Sequence, residues 1–385
     1  MGVFMPKECK DIRIAYLTNN LTPHTLPLLI SLSSRVKELI VLTSTAPEQN
    51  ANWNPKAEGR FQIIQQRKLS LRRVRYHPQG YSDPMDIHVP YGTLLQLIKS
   101  HPDAVISLEF GIRTLQALMY RLLRPSSRLI VWAPVSERTE QGRGKLRLIL
   151  RKLILRKADA ILVNGSSGFR YIRQLGTESR KIFTVPYTTD IELFGSIHPS
   201  RPRGAVTRLL YVGQLIERKG LLPFVNMLIQ WIEIHPIIKV IFALAGEGSV
   251  RHQMEKLPLP KNLVLSFLGK INYLDLPACY ANADIFVFPT LGDEWGLVVN
   301  EAMMTGLPVL GSIYSQAVEE MVEEGKNGWF FSPDDPQSLS RALDQALNAS
   351  PDTLGAMRIR AREAASRLTP DAIAEIFASA IHFTV

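Results

Sequence analysis

Short apolar runs alternate along this chain with longer stretches in which apolar positions recur every three or four residues. In the first half the short runs are IRIAYL (12–17), LIVLT (39–43), AVISLE (104–109), LIVWA (129–133), AILV (160–163) and IFTV (182–185). In the second half they are LLYVG (209–213), VIFALAG (240–246), LVLSFLG (263–269), IFVFP (285–289) and PVLGS (308–312). Amphipathic stretches of helical period separate them, for example 221–234 and 336–348. Continuous apolar strands alternating with helices predict parallel sheets covered on both faces. The two series meet at GSIHPSRPRGA (195–205), where Pro, Gly and basic residues read as a linker. The pattern therefore predicts two doubly wound α/β domains facing a cleft. They span 1–200 and 205–370, and 371–385 forms a C-terminal helix able to pack back on the first domain.

Composition agrees with this division. A chain of 385 residues is long for one core, and 46% hydrophobic content marks it as globular rather than disordered. Its two cysteines, Cys9 and Cys279, lie too far apart for a metal motif or a disulfide framework, which suits a reducing compartment. MGVFMPKECKDIRIAYL has no apolar run long enough for a secretory signal before charges appear. The longest uncharged stretch, IAYLTNNLTPHTLPLLISLSS, is broken by Asn, Pro and Thr and is not a membrane span. The expected location is the cytoplasm.

Charge divides the chain unevenly. Residues 1–204 carry 31 Lys and Arg against 15 Asp and Glu, whereas 205–385 carry 14 against 20. A basic half implies an anionic partner, or simply a basic surface. GRGKLRLILRKLILRK (142–157) holds seven cations and no acid, with Leu146, Ile149, Leu150, Leu153 and Ile154 on one helical stripe. RKLSLRRVR (67–75) adds five cations. Such a helix either lies on an anionic membrane or packs its stripe into the core with a solvated basic back. Nucleic acid is not an expected partner, because aromatics are not interleaved with the cations.

In open parallel sheets ligands bind beyond the carboxyl ends of the strands. After the strand ending at 212 comes GQLIERKG (213–220), with Arg218 and Lys219 before a helix, where phosphate is favoured, although such a stretch on its own is more often a solvated turn. AGEGS (245–249) follows the next strand, and no G-x-G-x-x-G occurs. GDEWGLVVNEAMMTGLPV (292–309) places Asp293 and Glu301 on either side of a turn that opens a helix. No D-x-D is present.

Taken in order, YVGQLIERKG, LAGEG, FLGKINYLDLPACYANADIFVFPT and DEWGLVVNEAMMTGLPVL resemble the C-terminal domain of retaining glycosyltransferases of the GT-B fold, family four. KADAILVNGSSGFRYIRQLG and KIFTVPYTTDIELF look like the close of that family's N-terminal domain. The resemblance covers about 157 to 345 well and the first 150 residues in outline. It implies two Rossmann-like domains, a UDP- or GDP-type sugar bound by the second, and a saccharide or lipid-linked acceptor bound by the first. It implies that Asp293 reaches the donor sugar, Glu301 the ribose and Lys219 the diphosphate. It extends the donor site to Gly213, Gln214, Arg218, Gly246, Glu247, Lys270, Ile271, Glu294, Trp295, Gly296, Leu297 and Val298. Carboxylates suit the first two tasks because an ionised acid accepts bonds from adjacent hydroxyls.

The chain departs from the family pattern in three places. Asp293 replaces the first Glu, Glu294 stands where Gly is usual, and Gln214 stands where the family has a diphosphate-binding Arg. On the acceptor side TNNLTPHTLPLL (18–29) lacks the family's Gly-Gly pair and offers His24, although a lone histidine is more often structural or exposed. The histidine that relatives place after a later strand is absent, leaving Glu137 and Arg138. Neither a metal nor a cofactor is expected, since Lys219, Arg218 and helix N–H groups can offset the leaving diphosphate. The peripheral inner face of the membrane is the alternative location. Two other functions stay open: a binding or assembly protein that has lost the chemistry, and a nucleotide-sugar epimerase.

Overall fold

The computed structural model describes residues 9–45, 61–197 and 206–384. Most of the expected linker, 198–205, lies outside them. The chain divides into two compact units. The first runs to Thr188 and regains the C-terminal segment from Thr369; the second runs from Thr189 to Leu368 and includes Gln79–Ser82.

The N-terminal unit is built on a parallel sheet in the order β3-β2-β1-β6-β7-β8-β9. Its strands are β1 (Cys9–Thr18), β2 (Val36–Thr43), β3 (Gln62–Gln65), β6 (Ala104–Leu108), β7 (Arg128–Ala133), β8 (Ala160–Val163) and β9 (Ile182–Thr184). The intervening β4 (Lys68–Tyr76) and β5 (Ser82–Pro90) form a separate two-stranded sheet. Both faces of the central sheet are covered, as continuous apolar strands require. On one face Ala15, Leu17, Val105, Val131 and Ile161 pack against α2 (Thr93–Ser100), α3 (Ile112–Leu123), α4 (Lys145–Lys157) and α5 (Ser166–Gln174). The helix before them, α1 (Thr25–Ser33), packs beside the C-terminal helix Pro370–Thr384. There the Trp132 ring meets Phe377 edge-on at 5.1 Å, and Ser31 donates to Asp371.

In α4 the apolar stripe divides. Ile154 and Leu155 are buried in the core, and Leu150 packs against it. Leu146, Ile149 and Leu153 are exposed. The reason is Arg151, which is buried in an ion pair with Glu140 and donates to the Tyr171 hydroxyl at 2.7 Å. Meeting those partners rotates the helix away from the orientation its leucines alone would choose. β4 was not expected as a strand: nearly all of its residues are solvent-exposed, so neither face carries a buried pattern.

The C-terminal unit has a six-stranded parallel sheet, β12-β11-β10-β13-β14-β15. Its strands are β10 (Val206–Val212), β11 (Lys239–Ala245), β12 (Leu263–Gly269), β13 (Ile285–Phe288), β14 (Val309–Ser312) and β15 (Gly328–Phe331). After the short α6 (Ile191–Gly195), its helices are α7 (Leu221–Glu233), α8 (Arg251–Glu255), α9 (Leu276–Ala281), α10 (Leu297–Thr305), α11 (Gln316–Met321), α12 (Pro336–Asn348) and α13 (Pro351–Ser366). The C-terminal helix is α14 (Pro370–Thr384). In α7, Leu221, Phe224, Val225, Leu228 and Ile232 recur at helical spacing and are buried. α12 starts where the Asp335 side chain accepts from the Gln337 N–H at 3.0 Å and Pro336 fills the first helical position. Among the described residues no helix is long and apolar enough to cross a membrane.

Candidate functional site

Beyond β10, β11 and β12 the backbone continues the sheet's ladder. Gly213 donates to the Ala245 carbonyl at 2.9 Å, Leu215 to Glu247 at 2.9 Å, and Gly246 to Gly269 at 2.8 Å. Gly246 adopts φ 143, and a Cβ there would lie 1.9 Å from the Gly213 carbonyl oxygen. Close backbone contact between the loops therefore demands this glycine before any ligand is considered. Glu247 pairs with Arg251 at 2.8 Å. Gln214 and Lys270 are exposed and Ile271 is half-buried.

The cations after β10 are committed to Asp293. Lys219 donates to Asp293 Oδ2, and Arg218 lies 3.3 Å from Oδ1. All three side chains are largely shielded from solvent. Burial alone would raise the Asp293 pKa, but the charges of Lys219 and Arg218 outweigh it and hold the carboxyl below its ordinary range. Arg218 also donates to the Gly292 carbonyl at 3.0 Å, and Lys219 sits over the Phe288 ring at 5.2 Å. Two positions assigned from sequence to different parts of a donor thus form one ion-paired group.

The motif turn is fixed from both sides. Asp293 N–H donates to the Tyr314 carbonyl at 2.9 Å, Ser315 to the Trp295 carbonyl, and Gln316 to the Glu294 carbonyl. Trp295 is buried and donates through Nε1 to Asn300 Oδ1 at 2.7 Å, so its ring is part of the core. Glu294 is exposed. Gly296 opens α10 at φ 113, where a Cβ would lie 2.7 Å from the Phe288 ring. The turn leaves the first-turn N–H groups of α10, at Leu297 and Val298, without partners inside the helix.

Glu301 stands one turn into α10 and is buried. Burial pushes its pKa up to about 7, against the opposing hydrogen bond from Tyr280. That hydroxyl donates to Glu301 Oε2 at 2.8 Å. Tyr280 was absent from the sequence expectations. The one signal for it is a tyrosine among small residues in ACYANADIF, since a buried phenol needs a partner.

In the N-terminal unit His24 packs edge-on against Tyr187 at 5.4 Å, and its Nε2 pairs with Thr22 Oγ1 at 3.2 Å. Burial lowers its pKa to about 4, so it is neutral at pH 7. Glu137 accepts from Arg170 at 2.8 Å and Gln174 at 3.1 Å, which ties it to α5. The Arg138 carbonyl pairs with His77 at 3.0 Å. Among the described residues no group of three or more His, Cys, Asp or Glu is arranged to hold a metal ion.

Residues 206–349 match the family model described as glycosyl transferases group 1. The chain is 31% identical over 142 residues to the uncharacterized glycosyltransferase MJ1607 of Methanocaldococcus jannaschii, covering 36% of this chain and 35% of that protein. It is 26% identical over 218 residues to the putative colanic acid biosynthesis glycosyltransferase WcaL of Salmonella typhimurium, covering 54% and 53%. The chain thus spans about a third to a half of the length of these curated relatives. The crystal structure of Anabaena HepE in complex with UDP superposes with a TM-score of 0.70 at 16% identity, covering 96% of this chain and 100% of that one. The two parallel-sheet Rossmann-like units are those of the GT-B glycosyltransferase fold, and the segment 206–349 is similar in sequence to the group 1 glycosyltransferases.

Proposed function

We propose that the chain is a retaining glycosyltransferase that moves a sugar from a UDP- or GDP-type donor to a saccharide or lipid-linked acceptor. The observation that carries this reading is the convergence of two cations, Arg218 and Lys219, on the single carboxylate of Asp293 beside the start of α10. Two cations sharing one acid leave positive charge for a diphosphate, and the open N–H groups of α10 add donors. An arriving diphosphate competes with Asp293 for Lys219. As that ion pair loosens, Asp293 becomes available to hydroxyls of the donor sugar. Glu301 accepts from the ribose hydroxyls and loses its proton more readily once they are bound. When the glycosidic bond breaks, Lys219 and Arg218 offset the charge that develops on the leaving diphosphate. No side chain is assigned as nucleophile; the leaving phosphate takes the acceptor's proton. The donor is a substrate, and no cofactor or metal enters this scheme. The name of WcaL and the UDP bound to HepE support a nucleotide donor and a polysaccharide or glycolipid product.

The acceptor belongs to the N-terminal unit, and an anionic membrane face in the cytoplasm suits that unit's surface. α2, α3, α4 and β4 contain no acidic residue. Leu95, Leu122, Leu123, Leu146, Ile149 and Leu153 are exposed on the helices among Lys and Arg. Apolar groups that penetrate, ringed by cations that meet headgroups, are what a peripheral lipid contact requires.

Replacing Lys219 with Ala should weaken UDP or GDP binding by about 1.5–3 kcal/mol, the scale of a bond to a charged group. Unchanged affinity in calorimetry would overturn the assignment. The exposed Gln214, where the family pattern has Arg, favours a binding protein that has lost its chemistry as the second reading. Donor hydrolysis or transfer by the purified chain excludes it.

A further inference from the structure

Strand order in the parallel sheet of the N-terminal unit reverses between β1 and β6, with β2 and β3 on one side and β7 to β9 on the other. In doubly wound sheets a ligand binds in the crevice beyond the carboxyl ends of the two strands at that switch. Asn19 is the residue after β1, and Glu109 is the residue after β6. Their side chains meet there: Asn19 Nδ2 donates to Glu109 Oε2 at 3.3 Å. Arg113, in the first turn of α3, is only 4% exposed. It donates to Asn19 Oδ1 at 2.8 Å and to Ser44 Oγ just beyond β2. Its Nε is buried with no hydrogen-bond partner. Three neighbouring strand ends thus deliver one connected polar chain to the crevice.

Glu109 also holds a left-handed backbone conformation, φ 68. A residue with a Cβ is disfavoured there, and Gly is the default. The conformation is fixed from both sides. The Glu109 N–H donates to the Trp132 carbonyl at 2.8 Å, and its own carbonyl accepts from Thr114, which pairs with Ser107 at 2.8 Å. The result is an exposed glutamate just beyond the carboxyl end of β6. Backbone strain maintained at the ligand-binding end of a sheet points to function rather than to packing.

We propose that Glu109, oriented by Asn19 and Arg113, forms a binding site in the N-terminal unit for a polyhydroxylated ligand, a saccharide or polyol. A carboxylate accepts from two adjacent hydroxyls of such a ligand. Asn19 holds one carboxylate oxygen, Oε2, with its own amide engaged at both ends. Arg113 offsets the Glu109 charge, so the crevice suits a neutral hydroxylated ligand better than an ammonium or a phosphate. The identification of this ligand as the sugar acceptor rests on the transfer reading; the site itself does not. Glu109 is assigned binding and no proton transfer.

Saturation-transfer NMR on the full chain with methyl glucoside, methyl galactoside, methyl N-acetylglucosaminide and myo-inositol tests the site, with UDP and GDP calorimetry run in parallel. At least one of these probes should bind, and Glu109→Gly should weaken it tenfold or more while nucleotide affinity stays within twofold. Gly relaxes at this φ but leaves the buried Arg113 without its countercharge, so the thermal transition of the variant is recorded and binding is compared well below it, which separates loss of binding from misfolding. Glu109→Gln, which keeps the size but not the charge, should also lose the probe. If no probe binds the parent chain, or if binding survives in Glu109→Gly, the proposal is wrong. A chain that binds a polyol through Glu109 yet binds neither UDP nor GDP keeps this site and overturns the transfer reading instead.

Discussion

The loop after β10 in one unit and α4 in the other use their cations in opposite ways. In the C-terminal unit Arg218 and Lys219 turn inward and share Asp293, so their charge is concentrated at one shielded point. In the N-terminal unit Lys145, Arg147, Lys152, Arg156 and Lys157 of α4 turn outward, and only Arg151 turns in, onto Glu140. A shielded cation keeps its pull in salt and suits a small anion such as a diphosphate. Exposed cations are screened within about 10 Å at 0.1 M salt and act only as a crowd, which suits an extended anionic surface. Residue type alone does not separate these tasks; burial does.

The largest effect expected lies where the pattern of the N-terminal unit is reversed. Replacing Glu140 with Gln leaves Arg151 buried without its countercharge and should cost that unit about 3–5 kcal/mol. Thermal unfolding should show a lowered transition, with UDP or GDP binding by the C-terminal unit intact below it. An unshifted transition would mean that the inward arginine does not hold α4. Next in size is the outward set. Replacing Arg147, Lys152 and Arg156 together with Gln should remove about 1 kcal/mol per cation from binding to phosphatidylserine vesicles, and added salt should mimic the change. Arg151 is left in place because its loss would unfold rather than discharge the surface. Equal sedimentation of both proteins with vesicles would remove lipid from the account.

The smallest effect is a pH dependence. Glu301, with its pKa raised to about 7, holds a proton in the folded chain between its ordinary range and pH 7 that the unfolded chain has released. Its contribution to stability therefore falls as pH rises through that window. Asp293, held low by Lys219 and Arg218, has the opposite sign: its stabilisation is present above the ordinary carboxylate range and is lost as pH falls through the depressed value. If ribose hydroxyls donate to the ionised Glu301 as proposed, nucleotide affinity should rise toward pH 7 and then level, by up to about 1.4 kcal/mol per pH unit. Glu301→Gln should remove that slope, and the nucleotide phosphate's own titration cancels in the comparison. A parallel slope in both proteins would place the ribose elsewhere.

Much of the fold was legible because parallel strands buried on both faces read as continuous apolar runs, and β1, β10 and β13 lie where those runs predict. Among the strands that were missed, β15 is a short apolar run, Gly328–Phe331, whereas β3 and β4 lack that signal. β4 is exposed nearly throughout, and β3 has two apolar residues, Ile63 and Ile64, between glutamines. The motif around Asp293 and Glu301 was visible as local spacing. Its pairing with Lys219 was not, because 74 positions separate the partners. Tyr280 meets Glu301 from 21 positions away, and Asn19 meets Glu109 from 90. Such contacts belong to the topology of the sheets, and no short stretch of sequence contains them. α4 shows the converse: its leucines predicted one stripe facing a single way, into lipid or into the core, but with Arg151 buried against Glu140 the stripe is split between core and solvent.

Calorimetry of UDP and GDP against Asp293→Asn and Glu301→Gln at pH 7.5 tests most directly whether the two carboxylates have separate tasks. Glu301 is assigned the ribose, which the bare nucleotide contains, so its loss should weaken nucleotide binding by about 1.5–3 kcal/mol. Asp293 is assigned the sugar, which the bare nucleotide lacks. Asp293→Asn should leave nucleotide affinity intact or raise it, since Lys219 and Arg218 are then released to the diphosphate. Loss of nucleotide binding in Asp293→Asn, with binding retained in Glu301→Gln, would contradict the assignment.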